Sequence, residues 1–184
     1  MEIKTTTEGT RLTIAVSGRV DTVTAPELEA GLKFGDATCV VIDLANVPYM
    51  IGYTLNDMGD MSAGIAAFCA NREQLGAKAW AYEFARPLPD DGSHPEDRLK
   101  GAFHSSDLWF VFKSLQHCWR PWTQGDWDLS EKMITAWTNF AKYSDPNGPD
   151  GGVWTPCTKE NDDFMVFKLD SADAEASAMG QPVR

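Results

Sequence analysis

Gly101-Ala102-Phe103-His104-Ser105-Ser106-Asp107-Leu108-Trp109-Phe110-Val111-Phe112 places a lone histidine after a small-residue turn and ahead of a mostly apolar run. A histidine on a loop beyond a strand can act as a general base, because an unperturbed pKa of ~6.5 lets it take and return a proton near neutral pH. The strand is there upstream: in Lys78-Ala79-Trp80-Ala81-Tyr82-Glu83-Phe84, Trp80, Tyr82 and Phe84 alternate onto one face. A Pro-, Asp- and Gly-rich loop runs from Arg86 to about Lys100. Its polar length costs little, since loop-closure entropy grows only with the logarithm of length. His94 precedes Pro95 in this loop and is expected to face solvent.

Downstream, Trp119-Arg120-Pro121-Trp122 and Trp127 add aromatic mass, and an arginine between two tryptophans can stack on them. Leu129 to Tyr143 reads as a helix with Met133, Ile134, Trp137, Phe140 and Ala141 as its apolar stripe and Asp128 or Ser130 as its cap. Asp145-Pro146-Asn147-Gly148 ends it. A last short strand is expected in Asp163 to Leu169, and the patternless Ala- and Ser-rich residues 171–184 read as a flexible tail.

Upstream, residues 61–75 read as a helix stopped by Gly76, with Ile65, Phe68, Cys69 and Leu75 inward. Asp57 or Asp60 suits its cap. Gly59-Asp60-Met61-Ser62-Ala63-Gly64 superficially matches the nucleophile elbow G-x-S-x-G. Asp60 stands where the first glycine belongs, however, and no apolar strand runs directly into the turn. Before residue 50 the composition changes: there is no Trp and much Thr and Val. The chain enters a strand pattern at Met1-Glu2-Ile3-Lys4-Thr5. Leu12, Ile14 and Val16 then alternate in a strand, and a helix starts near Thr24 or Ala25 with Pro26 in its first turn. Cys39-Val40-Val41-Ile42-Asp43-Leu44 is a continuous apolar run, as in a buried strand.

Two resemblances follow from these segments. Gly101-Ala102-Phe103-His104, Pro48 to Met58, and "LSEKMITAWTNFAKYSDPNG…WTPCT" together resemble the C-terminal part of type B carboxylesterases, which are α/β-hydrolases. The resemblance implies that His104 is the base of a Ser-His-Asp triad. Aligned on Gly52, it implies that Asp57 is the acid, although Met58 stands where the family usually has Gly. It implies a small carboxylic ester as substrate. The elbow serine and the oxyanion-hole stretch of the family have no counterpart here. "LTIAVSGRVDTVTAPELEAGLK…VVIDLANVPYM" resembles the first half of STAS domains of the anti-sigma factor antagonist type, but Ile51 and Gly52 follow Met50 in place of the phosphorylated serine turn.

The net charge of -11 argues against nucleic acid and against anionic membranes. No apolar run is long enough to span a bilayer, and no signal peptide is read, so the chain is expected in the cytoplasm. Cys39, Cys69, Cys118 and Cys157 are scattered and read as reduced core thiols, and His117 beside Cys118 falls short of a zinc set. No cofactor or metal is expected.

The expected fold is α/β, a mixed sheet with packed helices. A STAS-like β-β-α-β part over 1–47 leads into a partial hydrolase over 48–170 and a tail over 171–184. The expected function is that of a carboxylic-ester hydrolase fragment carrying acid and base but no nucleophile, inactive alone. A STAS-type protein-binding module, or a chimera joined at Val47-Pro48-Tyr49-Met50 without evolved activity, are the alternatives. Trp-rich faces left without their complement are expected to be exposed, and they or the N-terminal part to meet a protein partner.

Overall fold

The computed structural model describes residues 1–18, 20 and 24–170, so the expected tail lies outside the described residues. The order is β1 (Glu2–Glu8), β2 (Arg11–Ser17), α1 (Ala25–Gly31), β3 (Cys39–Asn46), β4 (Tyr49–Thr54), α2 (Ser62–Gln74), β5 (Ala79–Phe84), α3 (Leu108–Val111), a 3-10 turn at Leu115–His117, α4 (Gln124–Tyr143) and β6 (Met165–Phe167). It is a mixed α/β arrangement, but the strands form two three-stranded sheets where one was expected: β1-β2-β3 and β4-β5-β6. The separation falls at Val47-Pro48. Val47 N–H turns back onto the Leu44 carbonyl at 3.1 Å, and proline has no N–H to offer a ladder.

In the first sheet β1 and β2 are antiparallel and β2 and β3 parallel. Leu12, Ile14 and Val16 of β2 are buried beneath Leu28 and Leu32 of the α1 region. The register sets Val40 opposite Leu12 and Ile42 opposite Ile14, hence on the same face. Yet Val40, Ile42 and Leu44 are 39%, 47% and 39% exposed. The apolar run at 39–44 is therefore an edge strand with one open apolar face, not a buried strand. Its hydrophobicity shows that it suits a core; among the described residues no element supplies one there.

The second sheet is parallel throughout, and β5 is its buried centre. Trp80, Tyr82 and Phe84 face α4 and the main core, with Phe110, Leu115, Met133 and Trp154. Ala79 and Ala81 face α2, where they pack with Ile65, Cys69 and Cys157. The small alanines let α2 approach closely, and the large aromatics fill the wider gap under α4. Leu75, expected inward on α2, is 46% exposed because Gly76 ends the helix directly after it.

Helix α4 starts five residues before the expected Leu129. Thr123 is its cap: the Thr123 hydroxyl and backbone N–H both donate to Asp126 Oδ2 at 2.9 Å, within a capping box. Leu129, Met133, Ala136, Trp137 and Phe140 make the packed stripe, whereas Ala141 is exposed. None of the seven tryptophans is exposed. Trp80, Trp122, Trp137 and Trp154 pack on one another or on phenylalanines, as in Trp137–Trp154 at 6.5 Å and Trp154–Phe167 at 5.6 Å between ring centroids. The expectation of bare tryptophan faces fails because α4 and the residues around Trp154 cover the β5 aromatics from within the chain itself.

Candidate active site

The loops that follow β4 and β5 are bonded to each other. Leu55 N–H donates to the Phe84 carbonyl at 2.9 Å, carrying the pairing one residue past the strand. Asn56 then clamps the second loop: its N–H donates to the Ala102 carbonyl, and its side-chain oxygen accepts from Ala102 N–H, each at 2.9 Å. Gly101 makes the clamp possible. Its φ is +73°, and a Cβ there would stand 2.3 Å from Asn56 Oδ1. The residue after Asn56 is Asp57, and two residues after Ala102 is His104. The clamp therefore fixes both within reach.

His104 Nδ1 lies 3.1 Å from Asp57 Oδ1 and 3.0 Å from Asp57 Oδ2. The carboxylate is itself held by Thr54, whose hydroxyl donates to Oδ2 at 3.3 Å, and by Met58 N–H, which donates to Oδ1 at 2.8 Å. Its side chain is 9% exposed, that of His104 71%. The hydrogen bond to His104 first, then that from Met58 N–H, lowers the Asp57 pKa below the ordinary carboxylate value. In the neutral imidazole, Nδ1–H pointing at the carboxylate leaves the Nε2 lone pair free toward solvent, the form a general base requires.

Neither aspartate is the cap of α2, which is Met61; Asp60 stands one residue before it. Its Oδ1 accepts from Ser62 N–H at 2.9 Å at the start of α2. Ser62 is thereby a helix-start residue. Ser105 is exposed with φ +67°, and Ser106 is fully buried with its hydroxyl unpartnered. Among the described residues no hydroxyl hydrogen-bonds to His104.

Beneath His104, Tyr82 donates to Asp107 Oδ2 at 3.1 Å. Burial raises the Asp107 pKa, and burial followed by the neighbouring Asp107 charge raises that of Tyr82. Tyr82 reaches there because its ring lies over Gly52, where a Cβ would meet ring carbons at 2.3 Å. Sequence reasoning missed Asn56, Tyr82 and Asp107 as supports. Only the glycines opposite two of them left a signal, and Gly52 served merely for alignment.

The long loop is not free either. Arg120 is 5% exposed and donates to the Pro89 and Leu99 carbonyls and to Asp97, while its guanidinium lies 4.8 Å from the Trp119 ring centre and 5.8 Å from that of Phe103. His94, expected in solvent, stacks on Trp119 with ring centroids 4.2 Å apart and is held by Glu96 at 2.8 Å. Trp119 supplies an apolar face that a free loop would have lacked. Arg86 pairs with Asp126 through two bonds of 2.7 and 3.1 Å and so ties the end of β5 to the capping box of α4. Among the described residues no cluster of three or more His, Cys, Asp or Glu is placed to hold a metal. No described helix is long and apolar enough to cross a membrane.

Known proteins similar to this chain share a theme. Human bile salt-activated lipase is 36% identical over 108 residues, 55% of this chain and 14% of the lipase. Carboxylesterase 5A of Canis lupus familiaris is 28% identical over 120 residues, 62% of this chain and 20% of that protein. An esterase from Clostridium hathewayi matches with a TM-score of 0.48 at 20% identity, over 64% of this chain and 23% of that one, too slight an overlap to argue from. The chain thus spans a small share of the length of its relatives. Residues 55–182, which include both Asp57 and His104, match the model of the carboxylesterase family, and the chain belongs to that family.

Proposed function

We propose that this chain is a carboxylic-ester hydrolase segment, residues 48–170, in which Asp57 is the acid and His104 the base of a Ser-His-Asp triad, with no recognisable nucleophile elbow or oxyanion hole in the sequence. The observation that carries this reading is the double approach of Asp57 to His104 Nδ1, with Nε2 left to solvent. In ester hydrolysis such a base takes the proton of an attacking serine and returns it to the leaving alcohol, while the carboxylate holds the tautomer and stabilises the imidazolium. Without the serine and an oxyanion hole the pair has no nucleophile to activate. Loss of one oxyanion donor alone costs about 100- to 1,000-fold.

The 15N spectrum of the His104 imidazole above pH 8 tests the pairing. The Nδ1–H tautomer is expected in the wild type and a mixture in Asp57→Asn; an Nε2–H tautomer in the wild type overturns it. Purified chain is expected to give no p-nitrophenyl butyrate hydrolysis that His104→Ala abolishes. Turnover lost in that variant would show a nucleophile within the chain.

A second reading concerns residues 1–47. Their β-β-α-β order and the open Val40, Ile42 and Leu44 face support a STAS-like module that binds a protein, or the remnant of one in a chimera. Retention of an anti-sigma factor kinase by the chain, lost in Ile42→Asp, would favour the module. Absence of retention leaves the chimera.

A further inference from the structure

Cys69 and Cys157 are distant in sequence and adjacent in the core. Cys69 is on the inner face of α2 and 0% exposed; Cys157 is 1% exposed. Both belong to one small cluster with Ile65, Ala79 and Ala81. Cys157 is fixed from behind, its N–H donating to the Ala79 carbonyl at the start of β5 at 2.8 Å. The two side chains sit in one packed cluster, close enough for each to act on the other's thiol. The remaining cysteines differ: Cys39 is exposed and Cys118 half-buried.

We propose that Cys69 and Cys157 are a disulfide-forming pair, closed when the chain folds in the presence of a small disulfide such as oxidised glutathione. In the folded dithiol, burial and then the neighbouring Cys157 side chain push the Cys69 thiol up to about 12. Burial raises Cys157 as well. Thiolate, the attacking species, is therefore scarce in the native dithiol, and exchange precedes burial. In the unfolded chain one cysteine thiolate attacks oxidised glutathione, forming a protein–glutathione disulfide and releasing one glutathione thiolate. Folding brings the second cysteine against it. That thiolate attacks the protein-side sulfur, the second glutathione leaves as thiolate, and the Cys69–Cys157 bond remains. Two protein thiols are oxidised and one glutathione disulfide is reduced to two thiols.

The bond would tie α2 to the chain around Cys157 on one side of β5. Helix α2 follows directly on the Asp57–Asp60 turn, so the tie would also fix the helix that ends the loop carrying Asp57.

The test uses the full chain with Cys39→Ser and Cys118→Ser, which leaves only the pair. After refolding in a glutathione redox buffer, non-reducing peptide mapping is expected to show a 69–157 crosslink and an intact mass 2 Da below that of the dithiol. The crosslinked form should resist dithiothreitol until denaturant is added and melt roughly 5–15 °C higher. The proposal is overturned if both cysteines remain alkylatable after denaturation. It is equally overturned if glutathione stays attached to them without a crosslink. Should the double variant not fold, the same mapping on wild-type chain decides by which cysteines are joined.

Discussion

The missing Cβ of Gly101 and the side-chain oxygen of Asn56 compete for one place, 2.3 Å apart. The amide oxygen occupies it, and there it receives Ala102 N–H. Gly101→Ala introduces a left-handed alanine and displaces the amide. A loss of about 2 kcal/mol in urea unfolding is expected, together with a changed His104 imidazole spectrum. An unchanged spectrum would show that Asn56 does not position the histidine.

Asp57→Asn is expected to change stability with pH in a defined direction. The Asp57 pKa is lowered from its ordinary 3.8. Its contribution is therefore complete above that value and disappears as pH falls through the lower, folded value. Wild type and variant should differ in melting temperature at pH 6 and converge in strong acid. A gap that widens on acidification would contradict the assignment.

Gly52→Ala sets a methyl group into the Tyr82 ring. The ring must move, and the Tyr82–Asp107 bond with it. We expect a cost of about 1–3 kcal/mol and a shifted near-ultraviolet circular dichroism spectrum, since Tyr82 packs edge-on to Trp137 at 4.9 Å.

Arg86→Leu leaves the fully buried Asp126 carboxylate without its cation. Breaking a buried pair from one side costs about 3–5 kcal/mol. Replacing both, as Arg86→Leu with Asp126→Asn, is expected to recover part of that loss by chemical denaturation. No recovery would mean that Asp126 matters chiefly to Thr123.

Much of this fold is written in short-range pattern. The alternation of Trp80, Tyr82 and Phe84 reveals β5, and Leu12, Ile14 and Val16 reveal β2, because each strand packs its apolar face and period two survives. The start of α4 is legible as well, in Thr123-x-x-Asp126, although the apolar stripe itself begins only at Leu129. The 39–44 run has the pattern of a buried strand and yet lies open. Local hydrophobicity records what a strand could bury, and only tertiary contact decides whether anything covers it. The pairing of Asp57 with His104 came from resemblance. The Asn56 clamp that achieves it left no periodic trace, since one side chain and one glycine make it.

Arg120 gives the 86–100 loop a protease profile unlike its composition. The sequence there, Pro-Asp-Asp-Gly-Ser-His-Pro, suggests a segment that trypsin would open at Arg98 or Lys100. Three grips from one buried guanidinium, at Pro89, Asp97 and Leu99, hold both sides of that stretch. Cleavage requires a run of backbone to straighten into the protease cleft, so both sites should survive in the native chain. Arg120→Ala should turn them into the first cuts.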